Sequence, residues 1–373
     1  MKKLFLFEAS ATLVGAVIGA GILGIPYVMA QVGFSVGIVM MFGLAIAMML
    51  RHLMLAEVTL RTPKIHQMPG YAGIYIGRWA KNLSMVIVAL GGVGSLLAYA
   101  LGEGEVLSII FGGESLMWSL LFYIVSSLFV LAGLSLIKRS ELIMTVFILI
   151  TTLAVGVFAW NNIDFNNILF WNISNWILPY GVFLFALTGS VAIPEMREEL
   201  IGQEAYLSKA VILASVVTFV VYLIFSLLVL GVTGGETTKI ATVGLGNAVG
   251  PEMILIGNLL AFFTMGTSFL TIGLGLKQVM VFDYHWKHLN AWLIIVLAPL
   301  VLFMVGARDF INILGIVGGV LAGIQSVLIV MVFWRSRKMG LRKPEFTMGS
   351  MKFSGTVLII LFVMGAIFTL MNT

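Results

Sequence analysis

About eleven apolar runs, most of them roughly 20 residues long, divide this sequence and limit the folds open to it. Inside a lipid bilayer every backbone polar group needs a partner within the protein, so runs of this length fold as helices that cross the membrane. The runs cover residues 5–30, 34–57, 83–102, 116–137, 142–160, 176–196, 210–232, 253–275, 291–305, 311–334 and 353–371. The sequence therefore predicts an all-α integral membrane protein with about eleven transmembrane helices.

Basic residues alternate between the predicted loops. Lysine and arginine are frequent in every second loop, and the loops between them carry few. The first group of loops includes Arg51, Arg61, Arg78, Arg197 and Arg337, and the second includes Glu103, Glu105 and Asp309. Because basic loops are retained in the cytoplasm, this pattern predicts a multi-pass protein of the plasma membrane, with a cytoplasmic N-terminus and an extracytoplasmic C-terminus.

Composition narrows the functional classes. Hydrophobic residues make up 61% of the chain and charged residues 10%, against roughly 45–50% and 25% in soluble domains. The net charge of +5 is explained by the basic loops, and no basic–aromatic run indicates nucleic-acid binding. The chain has no cysteine, and the apolar runs contain no paired carboxylates or activated nucleophile. We therefore expect no enzyme and no cofactor, and the expected partners are a small molecule and the lipid bilayer.

The first apolar run carries a pattern that a regular helix does not favour. It reads Gly15-Ala-Val-Ile-Gly19-Ala-Gly21-Ile-Leu-Gly24-Ile-Pro26. Glycine is roughly 1 kcal/mol worse than alanine within a helix, and proline removes a backbone donor. A break near residues 19–21 leaves backbone groups at membrane depth that need a ligand or a protein partner. The alternative is that these glycines only allow another helix to pack closely.

The sixth run contains a partial copy of this segment. Gly21-Ile-Leu-Gly-Ile25-Pro26 matches Gly189-Ser-Val-Ala-Ile193-Pro194 at the glycine, the isoleucine and the proline. The same offset places the third run on the eighth and the fifth run on the tenth. Because an odd number of runs separates the copies, they enter the membrane in opposite orientations. The sequence thus predicts one transmembrane domain, with inverted repeats at about 5–160 and 173–334 and an extra helix at about 353–371.

These motifs carry a family resemblance. Residues 15–33, GAVIGAGILGIPYVMAQVG, resemble the first-helix signature of the amino acid/auxin permease family and of the related aromatic amino acid permeases. Residues 268–276, SFLTIGLGL, are similar to the eighth helix of the latter. The resemblance implies a LeuT-type fold, in which helices 1 and 6 of a 5+5 inverted repeat are broken, and it implies coupled uptake of amino acids.

Substrate contacts are expected at the two breaks. The central parts of the apolar runs contain no charged side chain that would neutralise a charged substrate, so a zwitterion held by helix ends fits best. This favours neutral amino acids, including aromatic or other hydrophobic ones. A hydroxyl and an aromatic gate are also expected beside the breaks, although packing alone is the alternative. The expected contacts are Gly19, Ala20 and Gly21 for the carboxylate, Ala186, Leu187 and Thr188 for the ammonium, and Tyr99 and Phe185 beside them.

The coupling ion is left open between sodium and a proton. The eighth run places Thr264, Thr267, Ser268 and Thr271 on one helix face. These hydroxyls either bond to carbonyls of their own helix or bind a cation. In the LeuT-type fold this position faces the first break, and the pair Thr267-Ser268 resembles hydroxyl ligands of a sodium ion. The resemblance therefore implies a candidate sodium site of Gly15, Ile18, Thr264, Thr267 and Ser268.

Two other functions on the same fold are open at this stage. A membrane sensor would bind the amino acid without moving it, and a channel would show no exchange of labelled for unlabelled substrate. The sequence leaves the identity of the amino acid and the oligomeric state open, and a monomer is compatible with the pattern.

Overall fold

A computed structural model describes residues 2–132, 134–169 and 177–372, leaving aside the side chains of residues 2–4, 134–145, 282 and 283. The described part of the chain is helical and contains no β-strand. Its helices are α1 (Lys2–Val17), α2 (Gly21–Val32), α3 (Phe34–Arg61), α4 (Met68–Tyr75), α5 (Arg78–Phe111), α6 (Ser115–Ala132), α7 (Leu134–Ala159), α8 (Ile177–Ala186), α9 (Ala192–Glu199), α10 (Leu207–Thr233), α11 (Ala241–Val249), α12 (Pro251–Gln278), α13 (His288–Met304), α14 (Phe310–Ile316), α15 (Gly323–Met339) and α16 (Lys352–Asn372). A π-helical turn, Val317–Ala322, joins α14 to α15. The predicted starts of the sixth run and of the second repeat, near residues 176 and 173, lie outside the described residues.

Every predicted run falls on helix. Within the described residues, seven helical stretches are long and apolar enough to cross a membrane, and the bent pair of α1 and α2 makes an eighth. The remaining runs fall on shorter apolar helices, namely the later part of α7, α8 and α13. The count of about eleven spans is therefore compatible with this architecture.

Two of the spans are interrupted where glycine and proline predict it. The axes of α1 and α2 differ by 56° across residues 18–20. Pro26 lies inside α2 and Pro194 in the first turn of α9, so neither can donate to the preceding turn. The second interruption covers residues 187–191, between α8 and α9. Both breaks lie within the protein, since Ile18 and Ala20 in the first and Leu187 in the second are buried.

Several predicted span boundaries are wrong. The fourth run was expected to extend to residue 137, yet α6 ends at Ala132 and α7 begins at Leu134. The second run was expected to end at residue 57 with Arg51 in a loop, yet α3 continues to Arg61 and Arg51 is 0% exposed. The third run was expected to end before Glu103, yet α5 continues to Phe111 and Glu103 is also 0% exposed. Neighbouring helices shield both side chains from lipid, and a boundary drawn from charge alone does not anticipate such burial.

The broken helices lie in the centre of the packing. Helix α2 contacts α8, α10 and α3, and α1 contacts α10, α9 and α7. Helix α5 contacts α12 and α6, and the π-helical turn contacts both α5 and α8. The two breaks are thereby brought together between α10 on one side and α5 with α12 on the other.

Helix α8 meets the π-helical turn backbone to backbone. A Cβ atom added at Gly318 would lie 2.0 Å from the carbonyl oxygen of Gly181, and one added at Gly181 would lie 2.5 Å from the carbonyl oxygen of Gly315. Only glycine permits this approach at Gly181 and Gly318. We call these three residues the glycine seam.

Candidate functional site

A cavity of about 120 Å³ lies between the two breaks. Its walls come from α1, α4, α5, α8, α12, α15, the π-helical turn and both breaks. The lining contains no charged side chain among the described residues. Its polar side chains are Gln67, Ser95, Tyr99, Thr188, Ser190 and Gln325. A pocket of this composition suits a ligand without net charge.

The cavity is closed at one end by aromatic rings. It follows α5 from Ile87 to Tyr99, a distance of about 18 Å along the helix axis. At the Tyr99 end, the rings of Tyr99 and Phe185 meet edge to face with centroids 6.3 Å apart. At the other end the lining reaches residues 67–69 at the start of α4. There the Gln67 amide donates to the carbonyl of Val191 over 3.4 Å, which links α4 to the second break.

Half of the predicted substrate contacts line this cavity. Gly19, Tyr99, Phe185 and Thr188 are part of its wall, and the lining does not include Ala20, Gly21, Ala186 and Leu187. Gly21 packs directly against α8, since a Cβ atom there would lie 2.4 Å from the Cβ of Ala186. Glycine is therefore needed at this position for close helix packing, and this packing leaves open what its backbone amide binds.

Backbone groups at both breaks are free to bind a ligand. Among the described residues, the amides of Ala20 and Gly21 donate no backbone hydrogen bond. The carbonyls of Leu187 and Thr188 accept none from the described part of the chain. The Thr188 hydroxyl, in contrast, donates to the Leu184 carbonyl over 2.7 Å. The main chain rather than this hydroxyl thus carries the open hydrogen-bonding capacity.

One tyrosine of α10 joins the two breaks. The hydroxyl of Tyr222 is 2.7 Å from the carbonyl oxygen of Val17 and 2.8 Å from that of Ala186. These are the last residues of α1 and α8, whose carbonyls carry the partial negative charge of a helix C-terminus. Tyr222 is 0% exposed, so its hydroxyl is the donor that both helix ends share.

The hydroxyls of the eighth span divide into two kinds. Thr264 donates to the Leu260 carbonyl over 2.9 Å, and Thr267 donates to the Phe263 carbonyl over 2.8 Å. The buried Ser268 hydroxyl does not bond to its own helix, and the Tyr99 hydroxyl is its polar neighbour. It faces the first break, because a Cβ atom added at Gly19 would lie 2.4 Å from its oxygen and 3.4 Å from the Tyr99 hydroxyl.

The remaining members of the predicted sodium site lie on the adjoining helix. Gly15 is in the last turn of α1 and Ile18 follows that helix directly. Helix α1 contacts α12, which carries the three hydroxyls. All three hydroxyl oxygens keep lone pairs for a cation, because Thr264 and Thr267 only donate, and Ser268 is the one that faces the break.

A buried cation lies just behind the cavity wall. The Arg51 guanidinium donates to the hydroxyl of Ser190, in the second break, and to that of Ser326 on α15 over 2.9 Å. The expectation that no charged side chain lies near the breaks is therefore wrong. Ser190 itself lines the cavity, so Arg51 sets the electrostatic potential there without being exposed to a ligand.

An ion pair joins the segment before α11 to the segment before α14, at the end of the bundle predicted to be extracytoplasmic. Lys239, in the segment before α11, donates to Asp309, which also caps α14 by accepting from the Asn312 amide over 2.9 Å. The hydrogen bond to Asp309 raises the pKa of Lys239. Burial alone would raise the pKa of Asp309, but the hydrogen bonds from Lys239 and from backbone amides outweigh it and lower that pKa.

Sequence reasoning missed Arg51, Ser190 and Tyr222. For Tyr222 a signal existed, because a tyrosine hydroxyl in an apolar run needs a partner, the argument applied to Tyr99. For Arg51 the signal was the apolar sequence that continues to Leu60 beyond it. Nothing in the sequence singles out Ser190 from other serines.

The two broken helices around a central cavity define a membrane transporter with the LeuT-type fold. Two solved structures share this architecture. The structure of MhsT in complex with L-phenylalanine superposes with a TM-score of 0.70 at 15% identity, covering 96% of this chain and 98% of that one. The second is Mhp1, a nucleobase-cation-symport-1 family transporter in a closed conformation with bromovinylhydantoin bound. It superposes with a TM-score of 0.64 at 12% identity, covering 98% of this chain and 93% of that one.

The family follows from the sequence comparison. Residues 2–372 match the Tryptophan/tyrosine permease family, and the chain belongs to it. It is 24% identical to tyrosine-specific transport system 1 of Haemophilus influenzae over 378 residues, covering 95% of this chain and 93% of that protein. The predicted relationship to aromatic amino acid permeases is thereby confirmed, and the protein is an amino acid transporter of the membrane rather than an enzyme.

Proposed function

We propose that this protein is a secondary transporter that imports neutral amino acids with large apolar side chains, aromatic ones included, by alternating access. The observation that carries the proposal is a cavity between two broken helices whose lining has no charged side chain in the described residues. Tyrosine transport by the Haemophilus relative and phenylalanine bound to MhsT support the aromatic class. A zwitterion needs no counter-ion in such a site because helix ends supply partial charges of both signs.

The substrate's charged groups are assigned to the main chain at the breaks. The carboxylate is placed at Gly19, Ala20 and Gly21, where two amides have no partner in the described structure. The ammonium is placed at the carbonyls of Leu187 and Thr188, beside Ala186, whose own carbonyl already accepts from Tyr222. Tyr99 and Phe185 then cover the site at its closed end.

Import is proposed to be coupled to a sodium or a proton gradient. For sodium, the proposed ligands are carbonyls of Gly15 and Ile18 and the hydroxyls of Thr264, Thr267 and Ser268, since hard cations bind such oxygens. The decisive measurement is uptake under a sodium gradient without a pH gradient, in wild type and in the double variant Thr267→Val with Ser268→Ala. If sodium is the coupling ion, the variant loses sodium dependence; sodium-independent flux in wild type, or full sodium dependence in the variant, removes this site.

Counterflow in proteoliposomes tests the transport proposal itself. Vesicles loaded with unlabelled amino acid should accumulate the labelled one transiently, in a screen of the twenty amino acids. A carrier shows this exchange, a sensor binds without flux, and a channel shows no stimulation by substrate on the far side. Exchange confined to small or charged amino acids would contradict the proposed substrate class.

The orientation in the plasma membrane is proposed from the distribution of basic residues. A tag before Met1 should be accessible from the cytoplasm and a tag after Thr373 from outside. Labelling both in intact and in permeabilised cells measures this directly. Accessibility of the two tags from the same side would exclude an odd number of spans.

A further inference from the structure

Glu103 is a buried acid that the proposed transport site does not use. It lies on α5, one helical turn beyond Tyr99 and on the same helix face. Its side chain is 0% exposed, and neither carboxyl oxygen has a side-chain partner among the described residues, although the backbone of Gly266 faces them. The adjoining surface is α12 at Gly266, where an added Cβ atom would lie 3.9 Å from one of these oxygens.

Among the described side chains, no opposite charge compensates this carboxyl. On α5, Glu105 follows two positions on and lies toward Lys239, which is bound to Asp309. Helices α6 and α14 and the π-helical turn contain no charged residue. In α12 the charged residues are Glu252 and Lys277, about 21 Å and 16 Å along the axis from Gly266. The Lys277 ammonium donates to the carbonyls of Val130 and Leu131 instead.

Of the other helices that contact α5, α4 and α15 carry their titratable groups far from Glu103, whereas Tyr123 of α6 lies one turn from Ser119, which packs against Gly104 next to Glu103. Helix α15 meets α5 near Ser84, through Gln325, about 28 Å along α5 from Glu103. Helix α4 contacts α5 near Lys81, through Gly73. The titratable groups on α4, α6, α13 and α15 are Tyr71, Tyr75, Tyr123, His288, Arg335, Arg337 and Lys338.

The groups around Glu103 favour a proton over a metal ion as its ligand. A metal ion requires several ligands, and the described residues contain no group of three or more His, Cys, Asp and Glu side chains that could hold one. The substrate cavity ends at Tyr99 and does not include Glu103 in its lining. An ionised carboxylate without a partner costs several kcal/mol at such a position, whereas a protonated one costs far less. Ionisable groups kept at membrane depth under this penalty mark proton or ion pathways.

We propose that Glu103 is a proton-binding site of the transport cycle. The carboxyl holds one proton on an oxygen while the cavity is sealed at Tyr99, as in this structure. For coupled import it loads that proton from extracytoplasmic water when the protein opens beside Tyr99, and gives it up on the cytoplasmic side before the empty carrier returns. The inference rests on the proposed transport function and assigns the coupling proton to one side chain.

The test is substrate-induced proton movement in proteoliposomes without sodium. A pH electrode records alkalinisation of the outer medium when L-phenylalanine is added, and counterflow of labelled L-phenylalanine is measured at equal pH. Wild type is expected to show both. Glu103→Gln, which mimics the protonated carboxyl, is expected to keep counterflow within about twofold and to lose the alkalinisation and the pH-gradient-driven accumulation. Glu105→Gln is the matched control and should behave as wild type.

Several outcomes separate this inference from the proposed function. Retained alkalinisation in Glu103→Gln overturns the proton assignment. Counterflow without any proton movement in wild type overturns it as well, whatever the variants do. If Glu103→Gln does not fold, Glu103→Asp replaces it and should shift the pH profile of uptake, and an unshifted profile would overturn the assignment. Absence of exchange for every amino acid in wild type would instead refute the transport proposal.

Discussion

The hydroxyl of Tyr222 lies 2.8 Å from the carbonyl oxygen of Ala186, the last residue of α8, and also binds the carbonyl of Val17 at the end of α1. The two interruptions of the fold thus share one donor, supplied by α10. Both helix ends carry partial negative charge, so their mutual repulsion is reduced only while this hydroxyl lies between them.

Removing the Tyr222 hydroxyl should loosen both breaks together. Tyr222→Phe leaves two buried carbonyls without that donor, which costs about 1–3 kcal/mol. We expect a lower midpoint of thermal unfolding in detergent and slower uptake. Tyr206→Phe, at the edge of the bundle, is the control and should change neither. A Tyr222→Phe protein as stable and as active as wild type would show that the shared hydrogen bond is dispensable.

The width of the cavity should determine which side chains it admits. Gly91 lines the cavity, and a Cβ atom there would have its nearest neighbours at 3.9 Å, so alanine fits without strain. Gly91→Ala is expected to reduce kcat/KM for tryptophan relative to leucine by about tenfold, because the added methyl occupies substrate space. Gly43→Ala, with open space around it, gives the same gain in helix propensity and should leave the ratio unchanged. An unaltered ratio in Gly91→Ala would place the substrate side chain elsewhere.

Glu57 should be the acid whose loss destabilises the fold most. It is 0% exposed and binds Arg61 over 2.8 Å, Arg337 over 2.7 Å and the Met348 amide over 2.7 Å. Glu57→Ala leaves two arginines uncompensated, and we expect a loss of about 3–5 kcal/mol. Thermal unfolding monitored by tryptophan fluorescence measures it.

The control for Glu57 is a glutamate in an exposed glutamate–arginine ion pair. Glu345 binds Arg342 with 28% of each side chain exposed, so Glu345→Ala should cost less than about 1 kcal/mol. Equal losses in the two variants would mean that burial does not set the strength of these ion pairs.

The ion pair of Lys239 and Asp309 should make a modest, pH-dependent contribution to the free energy of unfolding. Because the pKa of Asp309 is lowered, its stabilisation is present above the ordinary value of 3.8 and is lost as the pH falls through the lower folded value. Because the pKa of Lys239 is raised, its stabilisation is present below 10.5 and is lost as the pH rises through the higher folded value. Both side chains are more than a third exposed, so the pair contributes less than about 1 kcal/mol.

Two substitutions separate the ion pair from the helix cap. Asp309→Asn keeps a cap for α14 and loses the charge, so unfolding midpoints should differ little at neutral pH and lose sensitivity to acid. Asp309→Ala also loses the cap and should cost about 1 kcal/mol more. If the two variants are equally stable, the hydrogen bond to the Asn312 amide contributes nothing measurable.

The spans and both breaks could be predicted because their causes are local. Apolar length requires a helix in lipid, and Gly19, Gly21 and Pro26 weaken that helix where the structure shows it interrupted. The inverted repeat, inferred by matching Gly21 and Pro26 with Gly189 and Pro194, stays a prediction, whereas the spans and breaks do not depend on such a match. These features depend on residues within one segment, so no tertiary contact was needed to find them.

The contacts between segments could not be predicted in the same way. Arg51 and Glu103 stand near the ends of apolar runs, where charge usually indicates a loop, and only the packing of neighbouring helices shows them to be buried. Tyr222 of α10 binds the carbonyls of Val17 in α1 and Ala186 in α8. Nothing in the sequence marks this contact between residues far apart in the chain. The division of Gly19 and Gly21 between cavity wall and helix contact likewise depends on the exact bend between α1 and α2.

The glycine seam has a mechanical consequence for the half-helix α8. Side chains that interlock resist translation, because each must change rotamer before the surfaces move past one another. At Gly181, Gly315 and Gly318 the two backbones are in direct contact, and none of these residues has a side chain that must change rotamer. The seam therefore places no interlocking side chains of these glycines between α8 and the π-helical turn, and we expect resistance to a shift of α8 to come from its other contacts, Tyr222 among them.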